Sequence, residues 1–443
     1  MKSVQKKKNR EWDADMSLDF KNPNIRKHML EGKFGLEKES LRVTPKGFLA
    51  HTKHPFGEDP HMERDFCENQ TELITGVADS EEDAWKQLEE LQKKAVKTLL
   101  NLKTGKEYLW PFSNPPYVLG EKDIPIADYQ GALQGKTLYR EYLAVKYGKR
   151  KMLFTGIHFN FSFSEALLEE GYRNSGLESR QEYKDRIYLE LAKKVTKYGW
   201  LIVYLTAASP VLDGSFFHKE ELGKTVLKNL ASPRCSKMGY WNDFNPILEY
   251  ESLERYVESI ESYIKTGQLK EAAELYYPVR LKPKGLNTLE RLKTSGVDHI
   301  ELRMLDLNPL DPVGIQKEDV QFLHLFLLYL MSLKEEELLP VEQTMAIRNT
   351  KRAARYDEET IRIELGWNSA LPVKNAALYL LASMERFVRS LGSQELVEIV
   401  RFQEEKLFCP VKRYAVQVRE LFEEDYVKDG IRLAEKYAGM LGK

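Results

Sequence analysis

The chain has 443 residues, of which 42% are hydrophobic and 30% charged, an ordinary soluble globular profile with ample length for a sizeable core. Lys plus Arg total 67 against 68 Asp plus Glu, so the net charge is −1, without the basic excess or stripe that usually marks a nucleic-acid binder. Cys67, Cys235 and Cys409 are odd in number and form no CxxC, and the first twenty residues lack a signal-peptide core, so a reducing cytoplasm is the expected location.

In chain order, residues 1–30 read as a polar tail, with the one basic cluster, KKKNR, at 6–10. Residues 34–44 (FGLEKESLRVT) read as a strand, and 63–75 (ERDFCENQTELIT) as a second strand or strand pair ending at Gly76. Ser80 opens an amphipathic helix, with Trp85, Leu88, Leu91, Ala95 and Leu99 at helical spacing. Residues 106–137, rich in Pro, Gly and Asp, read as a long loop of the kind that carries function.

A short helix follows at 137–148, a strand at 152–163 and one long helix over 180–206. Residues 232–243 form a loop, 252–267 a helix and 295–309 a strand ending in a turn. From about 314 to the end the pattern is mainly helical. The apolar runs at 200–212 and 320–333 are shorter than the ~20 residues needed to span a bilayer, so both read as core and no membrane association is expected. Strands early and near 300, with helices between and after, predict an α+β fold with helices packed on one face of an antiparallel or mixed sheet.

The polar faces of these strands are unusual. Positions i and i+2 of a strand point the same way, so Glu37 and Glu39 share a face. Asp65 and Glu72 differ in parity and share a face only if a bulge or turn intervenes. In GIHFNFSF, Phe159, Phe161 and Phe163 take the core side and leave His158 and Asn160 opposite. In HIELRM, Ile300, Leu302 and Met304 are core, with His299, Glu301 and Arg303 on the other face.

A solvated face or a structural ion pair accounts for each segment taken singly. Together they suggest one concave sheet face lined by Glu37, Glu39, Asp65, Glu72, His158, Glu301 and Arg303. Clustered carboxylates call for divalent cations, Mg²⁺ above all, and an arginine among them suits a phosphate oxygen. Such cations beside an arginine point to phosphoryl transfer from ATP, and the absence of GxxxxGK[ST] and GxGxxG places it on a scaffold other than a P-loop, kinase or Rossmann one. The residues alone leave that site and the solvated faces both open.

GLEKESLRV, DFCENQTELIT, KTLYREYLAVKYG, GIHFNFSF, YLTAASP, SPRCSKMGY, ELYYPVR and HIELRMLDLNP follow in this order. This series resembles the bacterial type of glutamate–cysteine ligase, also called γ-glutamylcysteine synthetase, from about residue 34 to about 330. The resemblance implies a glutamine synthetase-like fold, a mainly antiparallel sheet curled into a funnel with packed helices. It implies a single catalytic ligase domain over 31–443, with a mainly helical part at about 314–443. It also implies a reaction in which ATP phosphorylates the γ-carboxylate of L-glutamate and the α-amine of L-cysteine attacks the acyl phosphate, the first step toward glutathione.

The family's Mg²⁺ ligands, with Mn²⁺ an alternative, fall on Glu37, Glu39, Asp65, Glu72, His158 and Glu301. Its phosphoryl-holding arginines fall on Arg234 and Arg303, and its cysteine pocket on Tyr139, Tyr240 and Tyr276. The family carries a glutamine six positions before the metal histidine, where this chain has Met152, so a related carboxylate–amine ligase with another acceptor amino acid is an alternative. A guanidino-kinase-like phosphotransferase, also built on a curled antiparallel sheet, is a second. Some relatives carry a fused glutathione synthetase domain; with this sequence stopping at Lys443, none is expected here. The partners expected are thus glutamate, cysteine and ATP, with no nucleic acid.

Overall fold

The computed structural model describes residues 18–366 and 369–442; the KKKNR cluster lies outside them. The first described residues depart from a polar tail. Leu18, Phe20, Ile25 and Met29 are all buried, because the turns around the short helix Pro23–Arg26 aim these apolar side chains inward.

The strands are β1 (Gly32–Val43), β2 (Met62–Arg64), β3 (Gln70–Ile74), β4 (Tyr108–Leu109), β5 (Ile157–Phe163), β6 (Val211–Asp213), β7 (Thr225–Leu227), β8 (Val279–Lys282), β9 (His299–Leu305), β10 (Arg362–Gly366) and β11 (Ser369–Pro372). The main sheet runs β2-β3-β1-β5-β9-β8, with β4 on the far end of β1, and every one of these pairings is antiparallel. β6–β7 and β10–β11 form separate small sheets. Mixed helix and antiparallel sheet is the α+β class expected.

Alternation sets the two sides of the sheet. Phe34 and Leu36 of β1, Phe159, Phe161 and Phe163 of β5, and Ile300 and Leu302 of β9 are buried at 2% exposure or less. Behind them pack the helices Glu81–Leu100 and Lys317–Ser332. The former starts at Ser80, whose hydroxyl accepts from Asp83 N. The remaining face carries the acids and looks toward the helix Gln134–Tyr147.

Three departures have local causes. The 180–206 helix is two, Arg180–Tyr198 and Trp200–Thr206, meeting at Gly199. A Cβ on Gly199 would stand 3.1 Å from Met304 Cε, so glycine lets the bend approach β9. The 295–309 strand shortens to His299–Leu305, because Gly296 at φ +74 caps the helix Leu289–Ser295 just ahead of it. The β10–β11 hairpin interrupts the helical C-terminal part. No described helix is long and apolar enough to cross a membrane.

Candidate active site

The acid-bearing strands meet in register. Glu39 of β1 is paired with Glu72 of β3, and Glu72 with Glu63 of β2. Glu37 lies opposite His158 of β5, and Asn160 opposite Glu301 of β9, which in turn pairs with Arg280 of β8. The parity problem of Asp65 and Glu72 is solved by a turn. Asp65 N donates to Gln70 O at 3.1 Å, closing a hairpin that returns Asp65 to the face of Glu72. A register shift between β5 and β9 sets Arg303 and Met304 against His158.

These residues line a cavity of about 450 Å³. One side holds Glu37, Glu39, Asp65, Glu72, Glu301 and His158. Beside them on the same sheet lie Arg303, Arg280 and Lys282, and the helix Gln134–Tyr147 adds Lys136 and Arg140. Tyr139, Tyr240 and Tyr276 line the cavity together with Leu143 and Met152. Every site residue expected from the sequence therefore lines this one cavity except Arg234, which stands just behind its wall, with Nη2 3.2 Å from His158 Nε2.

Hydrogen bonds order the centre. Asn160 Nδ2 donates to Glu37 Oε1 at 2.8 Å, and His158 Nδ1 lies 3.2 Å from Glu37 Oε2. Because Arg234 can only donate, the proton of His158 sits on Nδ1, directed at Glu37. Arg234 Nη1 donates to the carbonyls of Arg303 and Leu305 at 2.5 and 3.4 Å, which takes up the backbone of the β9 register shift. Glu301 Oε1 is 3.1 Å from Arg303 Nη1 and 3.3 Å from Lys282 Nζ.

The electrostatics follow from burial and from which charges lie nearest. Burial and the neighbouring Asp65 push the Glu39 carboxyl up to about 8, despite Arg234 and Arg303. Burial, then Asp65 and the other acids, hold Glu72 well above the usual carboxylate range. For Glu301 burial also acts upward, but Arg303, Lys282 and His158 outweigh it and its carboxyl stays well below that range. Burial, then Arg303, pulls His158 down to about 4, so the imidazole is neutral at neutral pH.

The donor set suits a hard divalent cation. Ligand atoms of Glu37, Glu72 and His158 lie within 4.8 Å of one another. The buried Glu39 Oε2 and Glu301 Oε2 accept no hydrogen bond, which leaves oxygen lone pairs free. His158 has both nitrogens engaged and would have to release one partner to ligate; the carboxylates need no such change.

Arg280, Lys282 and Arg140 were missed by the sequence reasoning. β8 spans only Val279–Lys282, too short to stand out, although Val279 and Leu281 do alternate with the two cations. Arg140 lies on the helix flank, and nothing in its spacing distinguishes it from a solvated charge.

An antiparallel sheet carrying clustered carboxylates beside arginines defines a site suited to divalent cations and phosphate oxygens. The family model of glutamate–cysteine ligase matches residues 18–270 and 264–353, and the chain belongs to that family. A glutathione biosynthesis bifunctional protein of Listeria monocytogenes is 40% identical over 432 residues, which is 94% of this chain and 56% of that protein. A glutamate–cysteine ligase of Clostridium acetobutylicum is 31% identical, covering 87% of this chain and 90% of its own length. The crystal structure of a bifunctional glutathione synthetase from Pasteurella multocida superposes with a TM-score of 0.82 at 28% identity, over 96% of this chain and 55% of that one. A glutamate–cysteine ligase from Francisella tularensis, solved in complex with AMP, shares the fold at TM-score 0.82 and 24% identity, over 94% of this chain and 89% of that one.

These relatives correct one expectation. The chain spans only about half the length of the bifunctional proteins it matches, so the expected lack of a fused glutathione synthetase domain is overturned.

Proposed function

We propose that this chain catalyses the ATP-dependent joining of the γ-carboxylate of L-glutamate to the α-amine of L-cysteine, releasing ADP and phosphate. The observation that carries this reading is the meeting of Glu37, Glu39, Glu72 and Glu301 with Arg303 in a single cavity, on a chain of the glutamate–cysteine ligase family. Residues 31–443 act as one catalytic domain in this reading, working in the cytoplasm.

Glu37, Glu39, Asp65, Glu72, Glu301 and His158 would hold Mg²⁺, or Mn²⁺ in its place, which would supply positive charge to offset that of the ATP phosphates. Arg303, with Arg234 behind it, stabilises the equatorial oxygens of the transferring phosphoryl group. An oxygen of the glutamate γ-carboxylate attacks the γ-phosphorus, ADP leaves, and γ-glutamyl phosphate forms. The amine of cysteine, seated among Tyr139, Tyr240 and Tyr276, then attacks the acyl carbon, loses a proton and displaces phosphate. The helix Gln134–Tyr147, which lines the cavity through Lys136, Tyr139, Arg140 and Leu143, covers it and keeps water from the acyl phosphate.

Met152, buried at 6% exposure on the cavity wall, favours a second reading, in which the acceptor is another small amino acid with an apolar side chain. Mass identification of the product formed from ATP, glutamate and an amino-acid mixture tests both. γ-Glutamylcysteine as the main product supports the first. A different γ-glutamyl amide supports the second, and a stable phosphorylated product without an amide sinks both.

A further inference from the structure

Glu274 is a carboxylate at 0% exposure that lies outside the acid cluster of the cavity. An isolated buried carboxylate is costly, so its partners are informative. Its Oε1 accepts from Lys146 Nζ, from Tyr147 Oη at 2.7 Å and from Tyr142 Oη at 3.5 Å, all on the helix Gln134–Tyr147. Its Oε2 accepts from Lys270 N at 2.6 Å. Its backbone carbonyl accepts from Asn242 Nδ2 at 2.8 Å, and the same Nδ2 also donates to Tyr147 Oη at 3.2 Å.

The other end of Asn242 reaches the cavity wall. Asn242 Oδ1 accepts from Tyr276 N at 3.0 Å. The Tyr276 ring stands edge-on to Tyr147 at 5.4 Å and to Tyr240 at 5.3 Å. Three separate pieces of chain, the helix Gln134–Tyr147, the 232–243 loop and the segment before β8, are thus tied through one carboxylate lying directly behind the tyrosines.

We propose that Glu274 is a positioning residue for the acceptor amino acid: through Asn242 and Tyr147 it sets the place of Tyr276 and the width of the tyrosine-lined end of the cavity. This rests on the reading of that end as the acceptor's pocket. The carboxylate touches no substrate. Its ionised form supplies the acceptor capacity and the counter-charge that Lys146 and the tyrosine hydroxyls need, and a neutral group of the same shape supplies only part of it.

The test is steady-state kinetics of Glu274→Gln and Tyr147→Phe against the unaltered protein, varying ATP, glutamate and acceptor in turn, with the acceptor offered as cysteine and as its one-methylene-longer homologue. Tyr147→Phe keeps the ring against Tyr276 and removes only the hydroxyl, so it decides the matter should Glu274→Gln fail to fold. The expected result is a rise of about 10-fold in KM for the acceptor and weaker discrimination between the two acceptors, whose normal scale is ~10–200-fold per methylene. The KM values for ATP and glutamate, and kcat, stay within about 3-fold, as fits lost uniform binding of one substrate. Equal movement of all three KM values, or none, overturns the proposal. If the unaltered protein makes no γ-glutamyl amide at all, it is the proposed function that fails, and that outcome is seen before any variant is compared.

Discussion

Arg234 and His158 meet at 3.2 Å, with the guanidinium Nη2 donating to the imidazole Nε2. That contact depends on a residue with no side chain. A Cβ on Gly156 would lie 2.5 Å from Arg234 Cζ and 2.6 Å from the Leu305 carbonyl. Gly156→Ala is therefore expected to push the guanidinium off His158 and off the Arg303 carbonyl. Turnover should fall by about 10²-fold or more, the usual effect of losing one well-placed donor. Comparing kcat with the urea unfolding midpoint separates this from overpacking alone, which costs ~1–3 kcal/mol. A fully active Gly156→Ala protein would show that the contact is dispensable.

Glu37→Gln removes one charge of the acid cluster, and Arg303→Ala removes the guanidinium that pairs with Glu301 at 3.1 Å. Each is expected to lower ADP release with glutamate and cysteine by about 10²-fold or more while leaving the far-UV spectrum unchanged. A non-catalytic binding role for this cavity predicts no such loss, so two normally active variants would sink the enzymatic reading.

Burial and mutual repulsion hold Glu39 and Glu72 above their ordinary range, and a divalent cation relieves both. Adding Mg²⁺ to the metal-free protein should raise its thermal midpoint, with ~2.7 kcal/mol gained at 100 times the dissociation constant. Glu72→Gln should shrink that gain. With the Glu39 carboxyl near 8, protons compete with the metal, so Mg²⁺ binds more weakly at pH 6 than at pH 8. Titration by calorimetry at the two pH values reads this directly; equal affinities would contradict it.

Asp311 lies behind β1, near the buried ammonium of Lys38. Burial raises its carboxyl to about 6, although Val313 N donates to it at 2.7 Å and Lys38 acts the other way. The folded value stands above the unfolded one of ~3.9, so this group's contribution is fully present below ~3.9 and is lost as pH rises through about 6. Asp311→Asn should flatten that part of the stability profile. Denaturant unfolding of the two proteins across this range checks it, and parallel profiles would refute the assignment.

Much of the site was legible because its signal is local. Glu37 with Glu39, His158 with Asn160 and Glu301 with Arg303 each lie two residues apart, and the pleat of a single strand places such pairs on one face wherever that strand goes. The phenylalanines at 159, 161 and 163 declared which face was core. Apolar spacing likewise announced the helix Glu81–Leu100 and its Ser80 cap. The order of motifs carried the family, and the family carried the roles assigned to Arg234 and the three tyrosines.

What the chain alone determined, then, is which side chains leave each strand together, since that depends only on a backbone period of two residues. Only the tertiary structure decided which strands lie side by side: the hairpin that returns Asp65 to Glu72, the register shift that sets Arg303 against His158, and the short β8 that brings in Arg280 and Lys282. Those arrangements are made by hydrogen bonds between segments as far apart in sequence as Asn160 and Glu301, and no local pattern contains them.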